Sequence, residues 1–147
     1  MKLTEHFTLE SMLRSQTATN WGYSEQFTPS EIVKESLKQL CEQILEPLRL
    51  HLGKPVNITS GYRCPRVNKK KKGSKNSQHM LGEAADINVE GMTNLEIIAA
   101  IKLLLLPIDQ CIEEFGQWVH VSYGPRHRRQ FLKAQKGKND ETIYSNL

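Results

Sequence analysis

Apolar residues recur at helical spacing in the first third of the chain, and this pattern predicts two helices. In the first, Thr8 stands as a possible N-cap before Leu9, Met12 and Leu13, and a polar stretch follows. The second is a long helix over residues 28–53. Its apolar stripe consists of Val33, Leu37, Leu40, Cys41, Ile44, Leu45 and Leu48.

The ends of the long helix carry recognisable signals. Thr28 is the predicted N-cap, Pro29 takes the first helical position, and Glu31 completes a capping box. Gly53 is the predicted stop. Pro47 falls inside the pattern, and we expect it to kink or end the helix at the preceding residue because proline lacks an N–H and crowds the preceding turn.

After the long helix the pattern changes to alternation. Residues 56–60 predict a short strand, and residues 61–78 form a polar segment without periodicity, which predicts a long loop. From Ala84 onward alternate residues are apolar, so Ile87 and Val89 face the core while Asp86 faces the opposite side of a half-buried strand.

The last predicted elements are one helix and two strands. Thr93 and Glu96 form a second capping box, and the apolar helix that follows is expected to end at Pro107. Residues 109–115 and 118–124 predict two strands joined by a tight turn at Gly116 and Gln117. This order predicts an α+β fold: residues 1–147 in a single domain with flanking helices and a small, mostly antiparallel sheet. From about residue 125 the chain is basic and weakly periodic, and we expect partial disorder near its end.

Composition narrows the class of partner without choosing one. The formal charge of +4 favours an anionic partner, which is nucleic acid, a membrane surface or an acidic polymer such as the bacterial wall. The run Lys69–Lys75 is typical of a solvated, mobile loop, and its functional interpretation is electrostatic attraction to an anionic surface; no nucleic-acid recognition motif accompanies it. Three cysteines without CxxC spacing argue against a disulfide framework or a cysteine-rich zinc site, and favour a reducing compartment.

Two histidines and one aspartate are candidate metal ligands. In "QWVHVSY", alternation places His120 on the face opposite Val119 and Val121. If this strand lies near that of Asp86, the two side chains share a face, and His79 lies at the mouth of the Asp86 strand. Two imidazoles and one carboxylate suit zinc and leave a fourth position open for water. The alternative is an ordinary strand histidine whose polar groups are satisfied by its neighbours.

The stretch "SQHMLGEAAD", residues 77–86, fits the pattern SxHxxGxAxD at every fixed position, and "WVH" follows downstream. With "EHFTLESMLRS", "ITSGYRCPRVN" and "DQCIEEFGQWVHVSY", it resembles the zinc D-Ala-D-Ala carboxypeptidase and L-alanyl-D-glutamate endopeptidase family, which includes wall-lytic enzymes of bacteriophages. The resemblance covers most of residues 3–123. It implies a hedgehog/DD-peptidase-like fold in which His79, Asp86 and His120 bind zinc.

The resemblance also implies roles for residues around the metal. Arg63 matches an arginine that holds a substrate oxygen and helps neutralise the developing oxyanion. Ser77 is implied to orient His79 or its loop and to contact substrate, or else it is a turn hydroxyl.

The general base is the point of departure from the family pattern. Many members place an acid three residues before the last histidine, where this chain has Gln117, whose amide can orient substrate but cannot take a proton from water. Glu114, in the context "EFG", resembles the acid of this branch of the family. Strand alternation puts Glu113 and Glu114 on opposite faces, so at most one of them faces the zinc, and we assign the base to Glu114.

These roles describe a zinc metallopeptidase that hydrolyses peptide bonds in peptidoglycan stem peptides, as a carboxypeptidase or an endopeptidase. We expect a monomer that does not insert into membranes and, without a signal sequence, is made in the cytoplasm and reaches the wall after holin-type release. One alternative is a catalytically weak, zinc-containing wall-binding module that lost its base through Gln117. Another is a nucleic-acid-binding protein, which leaves the two histidines and the aspartate unexplained.

Overall fold

A computed structural model describes residues 1–147 and contains six helices and six strands. The helices are α1 Leu9–Leu13, α2 Gln16–Trp21, α3 Glu31–Leu40, α4 Glu46–Leu52, α5 Pro65–Lys70 and α6 Asn94–Leu103. The strands are β1 Asn57–Ser60, β2 Ala84–Asn88, β3 Gln110–Glu114, β4 Trp118–Ser122, β5 Gln130–Lys136 and β6 Thr142–Asn146. Short 3-10 turns cover Ser24–Phe27 and Gln78–Leu81.

All six strands belong to one sheet in the order β1-β2-β4-β3-β5-β6. Every neighbouring pair is antiparallel except β3 and β5, which run parallel. The predicted α+β fold with a mostly antiparallel sheet is therefore confirmed. None of the helices combines the length and the hydropathy that a membrane-spanning helix requires.

The hydrophobic core lies between one face of the sheet and the helices α1, α3, α4 and α6. Ile87, Val119 and Val121 point into it from β2 and β4, as alternation predicted. All three cysteines are free and buried. Burial raises the pKa of Cys41 and of Cys111 to about 12, so these thiols are packing residues rather than nucleophiles.

The long predicted helix begins two residues later than expected. Its N-cap is Ser30, whose hydroxyl accepts from the backbone N–H of Val33, so the prediction of Thr28 was wrong. Ser30 has the extended backbone that an N-cap needs, and its hydroxyl lies three residues before a free N–H. The predicted stop is confirmed, because Gly53 ends α4 in the left-handed conformation with φ +67°.

Pro47 neither ends this helix nor breaks it. The turn Cys41–Leu45 widens to a π-helix, in which the N–H of Glu46 donates to the carbonyl of Cys41, and α4 continues from there. The wider turn shifts the hydrogen-bonding register just before the proline, so Pro47 falls in the first turn of α4, where a missing N–H costs little.

Two polar segments contain helices that periodicity did not predict. Residues 61–78 were predicted as a loop, but Pro65 opens α5 at its first position, and α2 forms within the polar stretch after α1. The second capping box is confirmed, since Thr93 and Glu96 exchange both hydrogen bonds at the start of α6. That helix ends at Leu103, before Pro107.

The basic tail forms a strand pair where partial disorder was expected. β5 adds to the edge of β3, and β6 pairs with β5, so the tail extends the sheet by two strands. Most side chains of this hairpin are at least partly exposed. With little apolar surface to bury, the tail has no strong alternation of apolar and polar residues, so no strand was predicted there.

An ion pair fixes the tail to the rest of the sheet. Arg128 donates from Nε and from a terminal nitrogen to the two carboxylate oxygens of Asp109, each at 2.8 Å, and its backbone N–H donates at 2.9 Å. Gln78 donates to the same carboxylate at 3.0 Å. Asp109 is fully buried, and the hydrogen bonds from Arg128 lower its pKa to about 2.

We predict that Arg128→Gln destabilises the protein by roughly 2 to 3 kcal/mol at pH 7, because it leaves the buried Asp109 carboxylate without its cation. A depressed pKa stabilises the fold above the ordinary aspartate value, and this contribution is lost as the pH falls from about 4 towards 2. As the pH falls from about 4 towards 2, the free energy of unfolding should therefore decrease more for the wild type than for Arg128→Gln. Urea unfolding at several pH values measures both effects, with the exposed Lys138→Gln as control. Equal stability of wild type and Arg128→Gln at pH 7 would contradict the prediction.

Candidate active site

His79, Asp86 and His120 come together on the face of the sheet opposite the core. Asp86 on β2 and His120 on β4 are directly paired residues of neighbouring strands, so their side chains lie side by side. His79 joins them from the 3-10 turn Gln78–Leu81, which leads into β2. All three are buried, and one ligand atom from each lies within 4.8 Å of the others. The predicted shared face is confirmed.

One carboxylate oxygen lies between the two imidazole rings. Oδ1 of Asp86 is 3.2 Å from Nε2 of His79 and 3.1 Å from Nδ1 of His120. The ring centroids are 5.1 Å apart and the rings are steeply inclined to each other. Two ring nitrogens and one carboxylate oxygen thus converge on a single small volume.

The orientation of His79 is set by the loop after β1. Its Nδ1 lies 2.7 Å from the carbonyl oxygen of Gly61, which accepts a hydrogen bond from Nδ1–H and so leaves the lone pair of Nε2 facing Asp86. A side chain at position 61 would place its Cβ 2.4 Å from the carbonyl oxygen of Met12, so this close approach requires glycine. The hydroxyl of Ser77 accepts from the backbone N–H of His79 at 3.2 Å and caps its turn.

The protonation states of His79 and Asp86 suit a metal ion, whereas burial lowers the pKa of His120 but its hydrogen bond with Asp86 raises it above its ordinary value. Burial lowers the pKa of His79 despite the attraction of Asp86, which favours the neutral, ligating imidazole. Burial raises the pKa of Asp86, but the two histidines outweigh it and hold this pKa far below its ordinary value. A donor set of two imidazoles and one carboxylate with mutually close ligand atoms fits zinc with a fourth position open.

Arg63 lies beside the same carboxylate. A terminal nitrogen donates to Oδ2 of Asp86 at 3.0 Å, and Nε donates to the hydroxyl of Ser60 at 2.9 Å. Its backbone N–H also donates to the carbonyl of His79. The arginine is therefore fixed at the outer oxygen of Asp86, where it also lines the cleft above the three candidate ligands.

A buried glutamine that sequence patterns did not reveal supports the Arg63 loop. Gln26 is fully buried, and its amide donates to the carbonyls of Leu13 and Tyr62, both at 2.8 Å. Its side-chain oxygen accepts from the backbone N–H of Cys64 at 2.8 Å. A single glutamine in a polar segment carries no signal of this role, because its contacts come from distant parts of the chain.

A cleft of about 730 Å³ is lined by the candidate ligands His79 and His120, and Glu114 lies in its wall. Glu114 is at the end of β3, on the face that carries His120, and its carboxylate accepts from Nε1 of Trp118 at 2.7 Å. Glu113 points to the opposite face, where it is buried and accepts from Asn94 on α6 at 2.6 Å. The alternation that separated the two acids in the sequence is present in the structure.

The remaining predicted site residues divide between the cleft and its surroundings. Ser77 lines the cleft, but Gln117 is exposed in the turn between β3 and β4 and is not among the lining residues. That turn has positive φ at Phe115 and Gly116, 56° and 69°. Its geometry takes position 117 away from the sheet face that carries the candidate ligands.

The tail also contributes to the cleft, which the sequence did not indicate. Its lining residues there are Arg126, Arg128, Leu132, Lys136, Thr142 and Tyr144. The only signal available was the basic bias of the tail, and charge alone gives no position in the fold.

The comparison with known protein families gives one result that covers most of the chain. The family model described as Peptidase M15 matches residues 5–122. No match is found among curated proteins. Peptidases of this family are zinc-dependent, in agreement with the buried His79, Asp86 and His120. The chain therefore belongs to the peptidase M15 family of zinc metallopeptidases.

Proposed function

We propose that this protein hydrolyses peptide bonds in the stem peptides of peptidoglycan. The observation that carries the proposal is the convergence of His79, Asp86 and His120 beneath a cleft whose wall contains the carboxylate of Glu114. Nε2 of His79, Nδ1 of His120 and a carboxylate oxygen of Asp86 would hold zinc. Zinc bound there supplies a Lewis acid and lowers the pKa of a water molecule.

Glu114 is the general base and acid in this proposal. Its carboxylate lines the cleft and accepts the proton of the attacking water, and it then returns that proton to the leaving amine. The indole N–H of Trp118 donates a hydrogen bond to Oε1 of Glu114, and this bond fixes the orientation of the carboxyl group. Oε2 is then available for proton transfer.

Arg63 stabilises the negative charge that develops on the scissile carbonyl oxygen. Its guanidinium is oriented by Ser60 and Asp86 and has further N–H groups to donate into the cleft. Ser77 contributes by capping the turn that carries His79 and by presenting its side chain to the cleft. Gln117 takes no part in proton transfer, and its exposed amide is left for substrate contacts outside the cleft.

Because peptidoglycan is the substrate in this proposal, the protein acts at the bacterial cell wall, as a wall-lytic enzyme of the endolysin type. A carboxypeptidase recognises a free C-terminal carboxylate, and an endopeptidase does not. Arg63 is compatible with both, since an arginine at the cleft binds either a carboxylate or a carbonyl oxygen. The fragments released from peptidoglycan distinguish the two.

We predict that the purified protein contains about one zinc ion per chain and that His120→Ala loses it, because two remaining ligands hold zinc weakly. Elemental analysis measures the zinc content. Chelation should lower the thermal unfolding temperature of the wild type, since zinc binds only the folded site, and should leave that of His120→Ala almost unchanged. His51→Ala, at an exposed residue of α4, is the control. A wild type without zinc would overturn the assignment of these ligands.

We predict that Glu114→Gln reduces peptidoglycan hydrolysis by about 10²- to 10⁴-fold without loss of zinc, because an amide cannot accept the proton of water. Digestion of purified peptidoglycan with mass spectrometry of the released peptides measures the rate and identifies the bond. Glu113→Gln is the matched control, since its side chain faces α6 and should leave the rate within a few-fold of wild type.

Two outcomes of this digestion would count against the proposal. If Glu114→Gln retains wild-type activity, the base has been assigned to the wrong residue. If the zinc-loaded wild type releases no peptides at all, the protein is better described as a catalytically weak wall-binding module.

A further inference from the structure

The cleft contains far more positive than negative side chains. Six lysine and arginine residues line it, and Glu114 is the only acidic residue among the lining residues. The six are Arg63, Lys71, Lys72, Arg126, Arg128 and Lys136. A concave site lined by one sign of charge concentrates the opposite charge, so the cleft selects an anionic ligand.

Two of these cations are already neutralised and four are not. Arg63 pairs with Asp86, and Arg128 pairs with Asp109. The other four, Lys71, Lys72, Arg126 and Lys136, form no ion pair. Partial burial lowers the pKa of Lys71, and the positive charge of Arg63 lowers it further against the opposing effect of Asp86, so Lys71 and Arg63 repel each other. An anion in the cleft would relieve this repulsion.

The unpaired cations come from opposite sides of the candidate ligands. Lys71 and Lys72 follow α5, in the segment after β1, whereas Arg126 and Lys136 belong to the tail that adds β5 and β6 beyond β3. In the strand order, β2 and β4 with their ligands lie between β1 and β3. The tail also lies outside residues 5–122, so the family match does not account for its cations.

We propose that Arg126 and Lys136 form an anion subsite that binds a free carboxylate of the substrate away from the reacting bond, and that the substrate is therefore an acidic peptide. This inference rests on the proposed function, since it names a substrate feature for the same cleft. A volume of about 730 Å³ is within the range of pockets that bind small ligands, and it accommodates a short peptide. Carboxylates match both groups, because guanidinium and ammonium form charge-assisted hydrogen bonds with them.

Lys136 is held in place for this role by the neighbouring hairpin. Its ammonium lies 5.1 Å from the ring centroid of Phe115 and 3.5 Å from the carbonyl of Asp140. Neither contact neutralises its charge, so the ammonium remains able to pair with a carboxylate. Arg126 has no hydrogen bond to another side chain and lies exposed at the cleft.

The test compares two synthetic stem tetrapeptides, one with free carboxylates and one in which the side carboxylates are carboxamides. Isothermal titration calorimetry measures their binding to the zinc-loaded Glu114→Gln protein, in which turnover is slowed. We expect the acidic peptide to bind about 10-fold more tightly at low salt, and this preference to shrink as salt is added. Adding Arg126→Gln and Lys136→Gln together should abolish the preference without weakening binding of the carboxamide peptide.

Lys138→Gln provides the matched control, because it removes the same charge from the same hairpin at an exposed residue outside the cleft lining. It should leave the preference unchanged. Thermal unfolding of each variant tests whether the protein still folds. A single Arg126→Gln variant removes no side-chain hydrogen bond or ion pair, and it should reduce the preference for the acidic peptide by about half in log affinity. Unchanged discrimination in the double and single variants would overturn the inference.

The remaining outcomes separate this inference from the proposed function. If the wild type hydrolyses peptidoglycan but binds both peptides equally, the subsite is wrong and the proposed function stands. If the wild type hydrolyses nothing but prefers the acidic peptide through Arg126 and Lys136, the proposed function fails and the subsite stands. If a 12-base-pair DNA duplex displaces the acidic peptide, and the double variant loses the DNA as well, the ligand is nucleic acid and the inference is wrong.

Discussion

The carboxylate of Asp86 is the group on which the rest of the structure depends. It is almost fully buried, and it contacts both candidate histidine ligands and the guanidinium of Arg63. A buried carboxylate without partners is destabilising by several kcal/mol, so strand β4, the turn before β2 and the loop after β1 must all converge on this one side chain. The same convergence creates the ligand set. The pairing of β2 with β4 therefore determines both the folding of this face and its chemistry.

Polar side chains buried away from the ligands hold this arrangement from two directions. Gln26 joins α1 to the loop that carries Gly61 and Arg63, and the Gly61 carbonyl in turn orients His79. On the other side, Asp109 binds Gln78, which precedes His79, and it binds Arg128 in the tail. Because hydrogen bonds in a buried network are strengthened by the low local dielectric, these contacts restrict His79 more than exposed contacts would. The tail is thereby connected to the turn that supplies one ligand.

The sequence predicted those features that follow from short-range periodicity. Strand alternation placed Asp86 and His120 on one face on the condition that their strands are neighbours, and it separated Glu114 from Glu113; the structure agrees on both points. Prediction from the sequence failed where two residues compete for one structural role, and where an element depends on contacts with distant parts of the chain. Thr28 and Ser30 both offer a hydroxyl for the N-cap, but only Ser30 has the extended backbone conformation that an N-cap needs. The tail strands are largely polar on both faces, so their pairing with β3 depends on contacts such as that of Arg128, which no local pattern encodes.

The geometry of the β3–β4 hairpin explains why an acid at position 114 can take a role that position 117 does not. His120 pairs directly with Ile112, and Glu114 lies two residues further along β3, which makes it a diagonal neighbour of His120 on the same face. Diagonal neighbours in an antiparallel pair are roughly 7 to 8 Å apart, which leaves room for a metal ion and one water between a histidine and a carboxylate. Gln117, by contrast, lies in the turn, where positive φ angles at the two preceding residues take the chain off that face. An acid at position 114 is therefore held by the sheet and by its hydrogen bond from Trp118, whereas the side chain at position 117 lies exposed in the turn.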